Sequence, residues 1–213
     1  MSGFIIIDKP TGWTSHDVVA KMRGVLKERK IGHLGTLDPL ATGVLVLAVG
    51  RDATKQISQF MKLDKEYEAT MELGKVSDTY DTEGKVESLP IGDFGPEEIV
   101  RVMESFCGES LQMPPAFSAK KIGGKKAYEL ARAGLPVELK PVMVKMRLWD
   151  ISIEMPIVKF KVEVSSGTYI RSLVHDIGQK LGCGAVLTAL RRTRVGDFKL
   201  EDAKKIEDFT AGI

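Results

Sequence analysis

Cysteine is almost absent from this chain: Cys107 and Cys183 stand far apart and belong to no C-x-x-C or Cys/His spacing. A zinc site built on such spacing is therefore excluded, and a reducing cytoplasm fits the two thiols best. Long apolar runs are missing as well. The run in MSGFIIIDKP is too short for a signal-peptide core, and nothing later approaches the roughly 20 apolar residues that span a bilayer. The expectation is a soluble, unexported, cytoplasmic protein that engages no membrane. Excess charge is lacking too, since 31 basic residues face 29 acidic ones for a net charge of +2. Such a surface is no general polyanion trap, so any nucleic-acid binding has to come from local clusters. The chain has no Walker loop, dinucleotide fingerprint, internal repeat, low-complexity tract or Ser/Gly linker.

What is present is an ordinary globular composition, 43% apolar and 28% charged, over 213 residues. One catalytic domain spanning 1–213 is the expectation, with a short helical tail over 200–213. Phe4 to Ile7 reads as a buried strand, and Thr14 or Ser15 caps a helix that turns Val18, Val19, Met22, Val25 and Leu26 inward. A glycine-punctuated loop from Gly32 to Gly43 feeds Val44 to Val49, an uninterrupted apolar run of the kind found in central strands. Ala53 to Met61 reads as a helix, and Tyr67 to Leu73 alternates like a half-buried strand.

Further on, Asp78 to Gly84 carries turn chemistry, and Pro96 opens a helix through Phe106. Met113-Pro114-Pro115 forces extended chain. Ile122-Gly123-Gly124-Lys125 reads as a tight hairpin, and a short helix from Tyr128 to Arg132 stops at Gly134. Val142 to Glu154 and Val158 to Ser165 read as paired strands joined near Pro156. A helix from Tyr169 to Leu181 ends at Gly182, and Val186 to Arg194 returns as a strand. This order gives an α+β fold with an extended, mixed, mostly antiparallel sheet flanked by helices and loops.

Three basic clusters stand out: Lys27, Arg29 and Lys30; Lys120, Lys121, Lys125 and Lys126; and Arg191, Arg192 and Arg194. The most informative stretch, however, is Gly32-His33-Leu34-Gly35-Thr36-Leu37-Asp38-Pro39-Leu40-Ala41-Thr42-Gly43. It places one carboxylate in a stiff setting, because Pro39 restricts Asp38 to extended backbone and the glycines admit close approach of another molecule. On residue type alone, an Asp-Pro pair is most often a turn.

This stretch resembles the catalytic motif of the TruB family of tRNA pseudouridine synthases. Further blocks follow in family order: Asp8-Lys9-Pro10-Thr11-Gly12 with Thr14-Ser15, Lys65-Glu66-Tyr67, Pro114 to Lys121, Ser166 to Leu173, Leu181 to Ala185, and Leu190-Arg191-Arg192. The resemblance implies the pseudouridine synthase fold. It also implies isomerisation of the uridine at tRNA position 55, in the T-loop, to pseudouridine by base flipping. Family members commonly continue into a C-terminal RNA-binding barrel, the PUA domain, which is not expected within these residues.

By that resemblance Asp38 is the essential carboxylate, acting on the anomeric carbon, on uracil, or in elimination at the sugar. Arg171 is its cationic partner, and Tyr67 stacks on the flipped uracil and can take the proton from C5. Tyr169 and Leu190 line the pocket, His33 braces the vacated space in the RNA, and Lys9 supports the region. Lys121 and Arg191, with the neighbouring lysines and the arginines through Arg194, are expected to contact phosphates. His16 and His175 read as helix-face residues without a catalytic task. An isomerisation adds no atoms and changes no oxidation state, so neither cofactor nor metal is expected. The partner is the T-arm stem-loop of tRNA; no obligate protein partner is implied, and the chain is expected to act as a monomer. A competing reading is a non-catalytic RNA-binding or tRNA-folding chaperone using the same groove. Retention of Asp38, Tyr67 and Arg171 together argues against it, because phosphate binding has no use for a buried acid. A methyltransferase would need a cofactor cradle, and no motif supplies one.

Overall fold

A computed structural model describes residues 3–118 and 120–209, apart from the side chains of Lys121, Ile122 and Lys126. Ala119 and the end of the expected helical tail, 210–213, lie outside the described residues. The chain divides into two compact units, Met1–Glu68 with Ala189–Ile213, and Ala69–Thr188.

The first unit begins with β1 (Gly3–Lys9) and α1 (Ser15–Val25). Thr14 caps α1 through a reciprocal capping box with Asp17, which satisfies two orphan donors of the first turn. Val18, Val19 and Met22 are buried, while Val25 and Leu26 are half-buried. Next come β2 (Ile31–Leu34), β3 (Thr42–Val49), α2 (Arg51–Lys55) and α3 (Ile57–Phe60). The single helix expected over 53–61 is thus two short ones, separated at Gln56 (φ −88°, ψ −8°). The loop expected from Gly32 is in part a strand, because β2 pairs antiparallel with β3 and sets His33 opposite Leu47.

β3 organises this unit. All its residues after Thr42 are buried, and it pairs antiparallel with β1 from Gly43 to Val49. Alternate residues Val44, Val46 and Ala48 join Leu34, Ala53 and Val195 in one cluster, against which Phe4, Phe60 and Phe198 pack. The uninterrupted apolar run follows from burial on both faces. β4 (Lys65–Leu73) runs from the first unit into the second, burying Lys65, Tyr67, Ala69, Met71 and Leu73 at strict period two.

The second unit continues with β5 (Lys75–Ser77), β6 (Val86–Ser88), α4 (Pro96–Glu104), β7 (Gly108–Gln112), β8 (Lys121–Ile122), β9 (Lys125–Lys126) and α5 (Ala127–Arg132). β8 and β9 form the expected hairpin, with Gly123 and Gly124 both at positive φ as a two-residue turn of this kind requires. β10 (Val142–Glu154) and β11 (Ile157–Val164) pair antiparallel with an irregularity between Trp149 and Ser152. α6 (Ile170–Leu181) buries Ile170, Leu173, Val174 and Ile177 and ends on left-handed Gly182. It packs on α4, and α4 packs in turn on β10.

β12 (Ala185–Val195) returns the chain to the first unit, where β13 (Phe198–Lys199) pairs with it. Strand order in the first unit is β1-β3-β12-β4, and in the second β12-β4-β11-β10-β7. The fold is therefore α+β with a mixed sheet, β12 and β3 being parallel at Arg191↔Thr42 and Arg192↔Gly43. Over residues 200–209 the tail is not α-helical. It forms 3₁₀ turns at Leu200–Asp202 and Ile206–Phe209, pinned by a bridge from Lys204 to Ile7. Among the described residues no helix is long and apolar enough to cross a membrane.

The β12–β3 approach makes a direct demand on sequence. Gly43 has φ +95°, and a Cβ there would lie 2.2 Å from the Arg192 carbonyl oxygen. Gly43→Ala should therefore destabilise the protein by more than about 3 kcal/mol in urea unfolding, whereas a loss below about 1 kcal/mol would contradict this register.

Candidate active site

The first unit holds Lys9, His33, Asp38, Tyr67, Leu190 and Arg191; the second holds Tyr169, Arg171 and Lys121. Asp38 sits half-buried in the segment between β2 and β3. That segment makes no regular ladder, so its backbone groups need partners elsewhere. The Gly35 carbonyl accepts from Arg192 Nη2 at 3.1 Å and the Thr36 carbonyl from Nη1 at 3.5 Å. Ser15 Oγ donates to the Leu37 carbonyl at 3.1 Å and accepts from its N–H at 2.9 Å. Ala41 N–H closes a turn on the Asp38 carbonyl at 3.1 Å. The Pro39 carbonyl takes Gly12 N–H at 2.8 Å and Lys9 Nζ at 3.4 Å, and the Leu40 carbonyl takes Thr11 Oγ1 at 3.3 Å. The Asp-Pro turn is thus bonded at each carbonyl from Gly35 to Leu40.

Two cations are spent on this framework. Lys9 is 0% exposed, and its ammonium also donates to the carbonyls of Pro10 and Trp13. Arg192 is 1% exposed, and its Nε donates to the Val44 carbonyl at 2.7 Å. This corrects one expectation. Arg192 is no phosphate contact, because strand alternation along β12 turns it inward with Leu190 while leaving Arg191 half-buried on the other side. Arg191 is held by Asp8 Oδ2 at 2.8 Å and by Thr42 Oγ1 at 3.3 Å. With Lys205 and Glu207 it borders a cavity of about 160 Å³. Arg194 pairs with Glu66 at 3.5 Å.

His33 lies on β2 and not on a loop, with its ring 5.4 Å from that of His16 on α1 in an edge-on arrangement. Its Nδ1 is buried without a hydrogen-bond partner. Burial first, then the positive fields of His16 and Arg192, lower its pKa to about 4 from 6.5, against a hydrogen bond with Gly35 that raises it. The ring is therefore neutral at physiological pH. Lys65 lies against the same turn, and burial with Arg192 beside it lowers its ammonium to about 8. Its Nζ donates to the carbonyls of Met61 and Leu63. Tyr67, two residues on, and Leu190 are buried.

In the second unit Arg171 occupies the first turn of α6, where a cation opposes the helix dipole. An anion compensates it: Asp81 Oδ2 lies 3.5 Å from Nε, both side chains being almost fully buried. Nη1 and Nη2 donate to the carbonyls of Thr79 and Phe117 at 2.9 and 3.0 Å. Tyr169 is bracketed by the Gln112 side chain, which accepts from its N–H at 2.8 Å and donates to its carbonyl at 3.0 Å. Tyr80, beside Asp81, stacks on His175 with ring centroids 3.8 Å apart. Asp81 and Gln112 were missed from sequence, and Arg192 was read there as a phosphate contact. Only the opposed dipole at Arg171 and the alternation of β12 carried a signal for any of them. The backbone of Lys121 lies in β8, and its side chain is outside the described residues.

Residues 23–170 match the TruB family pseudouridylate synthase N-terminal domain, and residues 171–213 the tRNA pseudouridylate synthase B C-terminal domain. The chain is 45% identical over 214 residues to tRNA pseudouridine synthase B of Opitutus terrae, covering 99% of this chain and 88% of that protein. It is 47% identical over 211 residues to tRNA pseudouridine synthase B of Clostridium acetobutylicum, covering 98% and 72%. Among solved structures it is similar to a chain in a Cbf5-Nop10-Gar1 complex, with a TM-score of 0.76 and 37% identity. That match covers 98% of this chain, which spans 54% of the solved chain's length.

The low His33 pKa gives a titration with a defined sign. The folded state takes up its proton later than the unfolded chain, so the stability tied to the neutral ring is lost as pH falls from 6.5 towards about 4. In an NMR titration the His33 ring should stay neutral down to about pH 4, and His16→Ala should raise its midpoint. A wild-type midpoint near 6.5 would contradict the buried setting.

Proposed function

The chain belongs to the TruB family of pseudouridylate synthases, and from that premise we propose that it converts the uridine at tRNA position 55, in the T-loop, to pseudouridine. The observation that carries this reading is the single carboxylate of Asp38 on a turn bonded at each neighbouring carbonyl. A reaction that must act at one atom of a flipped nucleoside gains from such prior positioning.

The isomerisation breaks the C1′–N1 bond and forms C1′–C5, while one proton leaves C5 and one arrives at N1. Atoms and electrons balance within the nucleoside, so the reaction calls on no cofactor. Asp38 acts at the ribose or the uracil to release the glycosidic bond, and the family resemblance gives Arg171 the role of the cation that serves it. The same resemblance gives Tyr67 the turned uracil and the C5 proton, and gives Tyr169 and Leu190 contacts with the base. His33, held neutral by burial, braces the space that the extruded uridine leaves. Lys9 holds the turn that carries Asp38. Arg191 and Lys121 meet phosphates, Arg191 sharing its charge with Asp8. The protein works on the T-arm stem-loop as a monomer, in the cytoplasm.

Nucleotide-resolution mapping of tRNA treated with the purified protein tests the substrate. Pseudouridine should form at position 55 of whole tRNA and of an isolated T-arm hairpin, and binding to both should weaken steeply with salt. Modification at another position, or tight binding with no modified base, would overturn the reading in favour of a different site or of a folding chaperone.

A further inference from the structure

We infer that Arg192, a buried side chain, is the positioning residue that fixes the Asp38 turn, an inference that rests on Asp38 being the reacting carboxylate. Its guanidinium joins the two ends of the segment. Nη2 and Nη1 donate to Gly35 and Thr36, where the chain leaves β2, and Nε donates to Val44, where it enters β3. One planar fork therefore sets the distance between the start of the turn and the strand that follows it.

Burying a guanidinium is costly unless its N–H groups are satisfied and its charge is compensated. No ion pair to Arg192 occurs among the described residues, and backbone carbonyls alone receive its donors. Such a costly arrangement is unnecessary for the sheet. β3 is already paired with β1 along Gly43–Val49 and with β2 at Val46–Val49, so its place does not depend on the side chain of Arg192. What depends on that side chain is the irregular stretch, where Gly35 and Thr36 gain no carbonyl partner from the ladder. Gly35 has φ +79°, a conformation that favours glycine, while a Cβ there would make only ordinary contact with Nη1 at 3.6 Å and Lys65 Cε at 3.8 Å. The direction of action is through the backbone: Thr36 is bonded to Arg192, Leu37 to Ser15, and Asp38 follows.

A lysine at 192 keeps the charge but has one ammonium in place of the fork, and a glutamine keeps neither. Single-turnover pseudouridine formation on a T-arm hairpin should fall about a hundredfold in Arg192→Lys and further in Arg192→Gln, with the RNA dissociation constant within about twofold of wild type. Amide hydrogen exchange should quicken at Gly35 to Ala41 and stay unchanged along β3. A wild-type rate in Arg192→Lys would overturn the proposal. So would loss of the cooperative melting transition in both variants, which would make Arg192 a folding residue. A rate loss matched by an equal loss of RNA affinity would overturn it as well, by placing Arg192 in binding. If the wild-type protein formed no pseudouridine, the reading of Asp38 would fail instead. Exchange alone would then decide the positioning role, with faster exchange confined to Gly35–Ala41 sustaining it and unchanged exchange overturning it.

Discussion

Six consecutive carbonyls, from Gly35 to Leu40, each accept a hydrogen bond, and the placement of Asp38 follows from them. An irregular segment beside a sheet loses water without gaining a ladder, so each unmet carbonyl would cost about 1–3 kcal/mol. Apart from Ala41 N–H within the turn itself, the donors come from three separate stretches: the end of β1 with the residues after it, the start of α1, and β12. A turn bonded to all three moves only if several elements move together, which is how a loop acquires the fixity of a strand.

Charge inside the protein serves the same end. Lys9 and Arg192 are among its largest fully buried side chains, and their donors go to backbone oxygen. A buried cation repays its desolvation poorly through one partner and better through several, and both have several. Their fields reach the neighbours: Arg192 helps to keep His33 neutral and lowers Lys65. Arg171 follows a different rule, because its charge meets a carboxylate, Asp81, against the unfavourable end of α6. The surface clusters read from sequence are therefore only in part surface, since the near-zero net charge of the chain includes cations that RNA cannot reach.

Where burial imposed a single period, the sequence could be read closely. β3 as an unbroken apolar run, β4 as an alternating strand, β10 as a strand paired with its successor, and α6 with its terminal Gly182 all fall within a residue or two of expectation. The Asp38 segment was visible through its glycines and Pro39. Other features rest on long-range partners that leave no local mark. His33 is a strand residue because β3 has a free edge there, and the 53–61 helix breaks although its composition is helical. β7, largely exposed, lacks an apolar stripe, so neither it nor Gln112 could be found. Arg192 was hidden by adjacency: three arginines within four residues read as one patch, although a strand sends neighbours to opposite faces.

Whether this framework presents one reactive carboxylate is decided by Asp38→Asn, which keeps size and most hydrogen-bonding capacity while removing negative charge and nucleophilicity. Single-turnover pseudouridine formation on a T-arm hairpin, measured beside RNA affinity and thermal unfolding, is the deciding experiment. No detectable product is expected, with RNA binding and the melting transition preserved. Near-normal turnover, or loss of binding and folding together, would contradict it and leave Asp38 a residue of the turn alone.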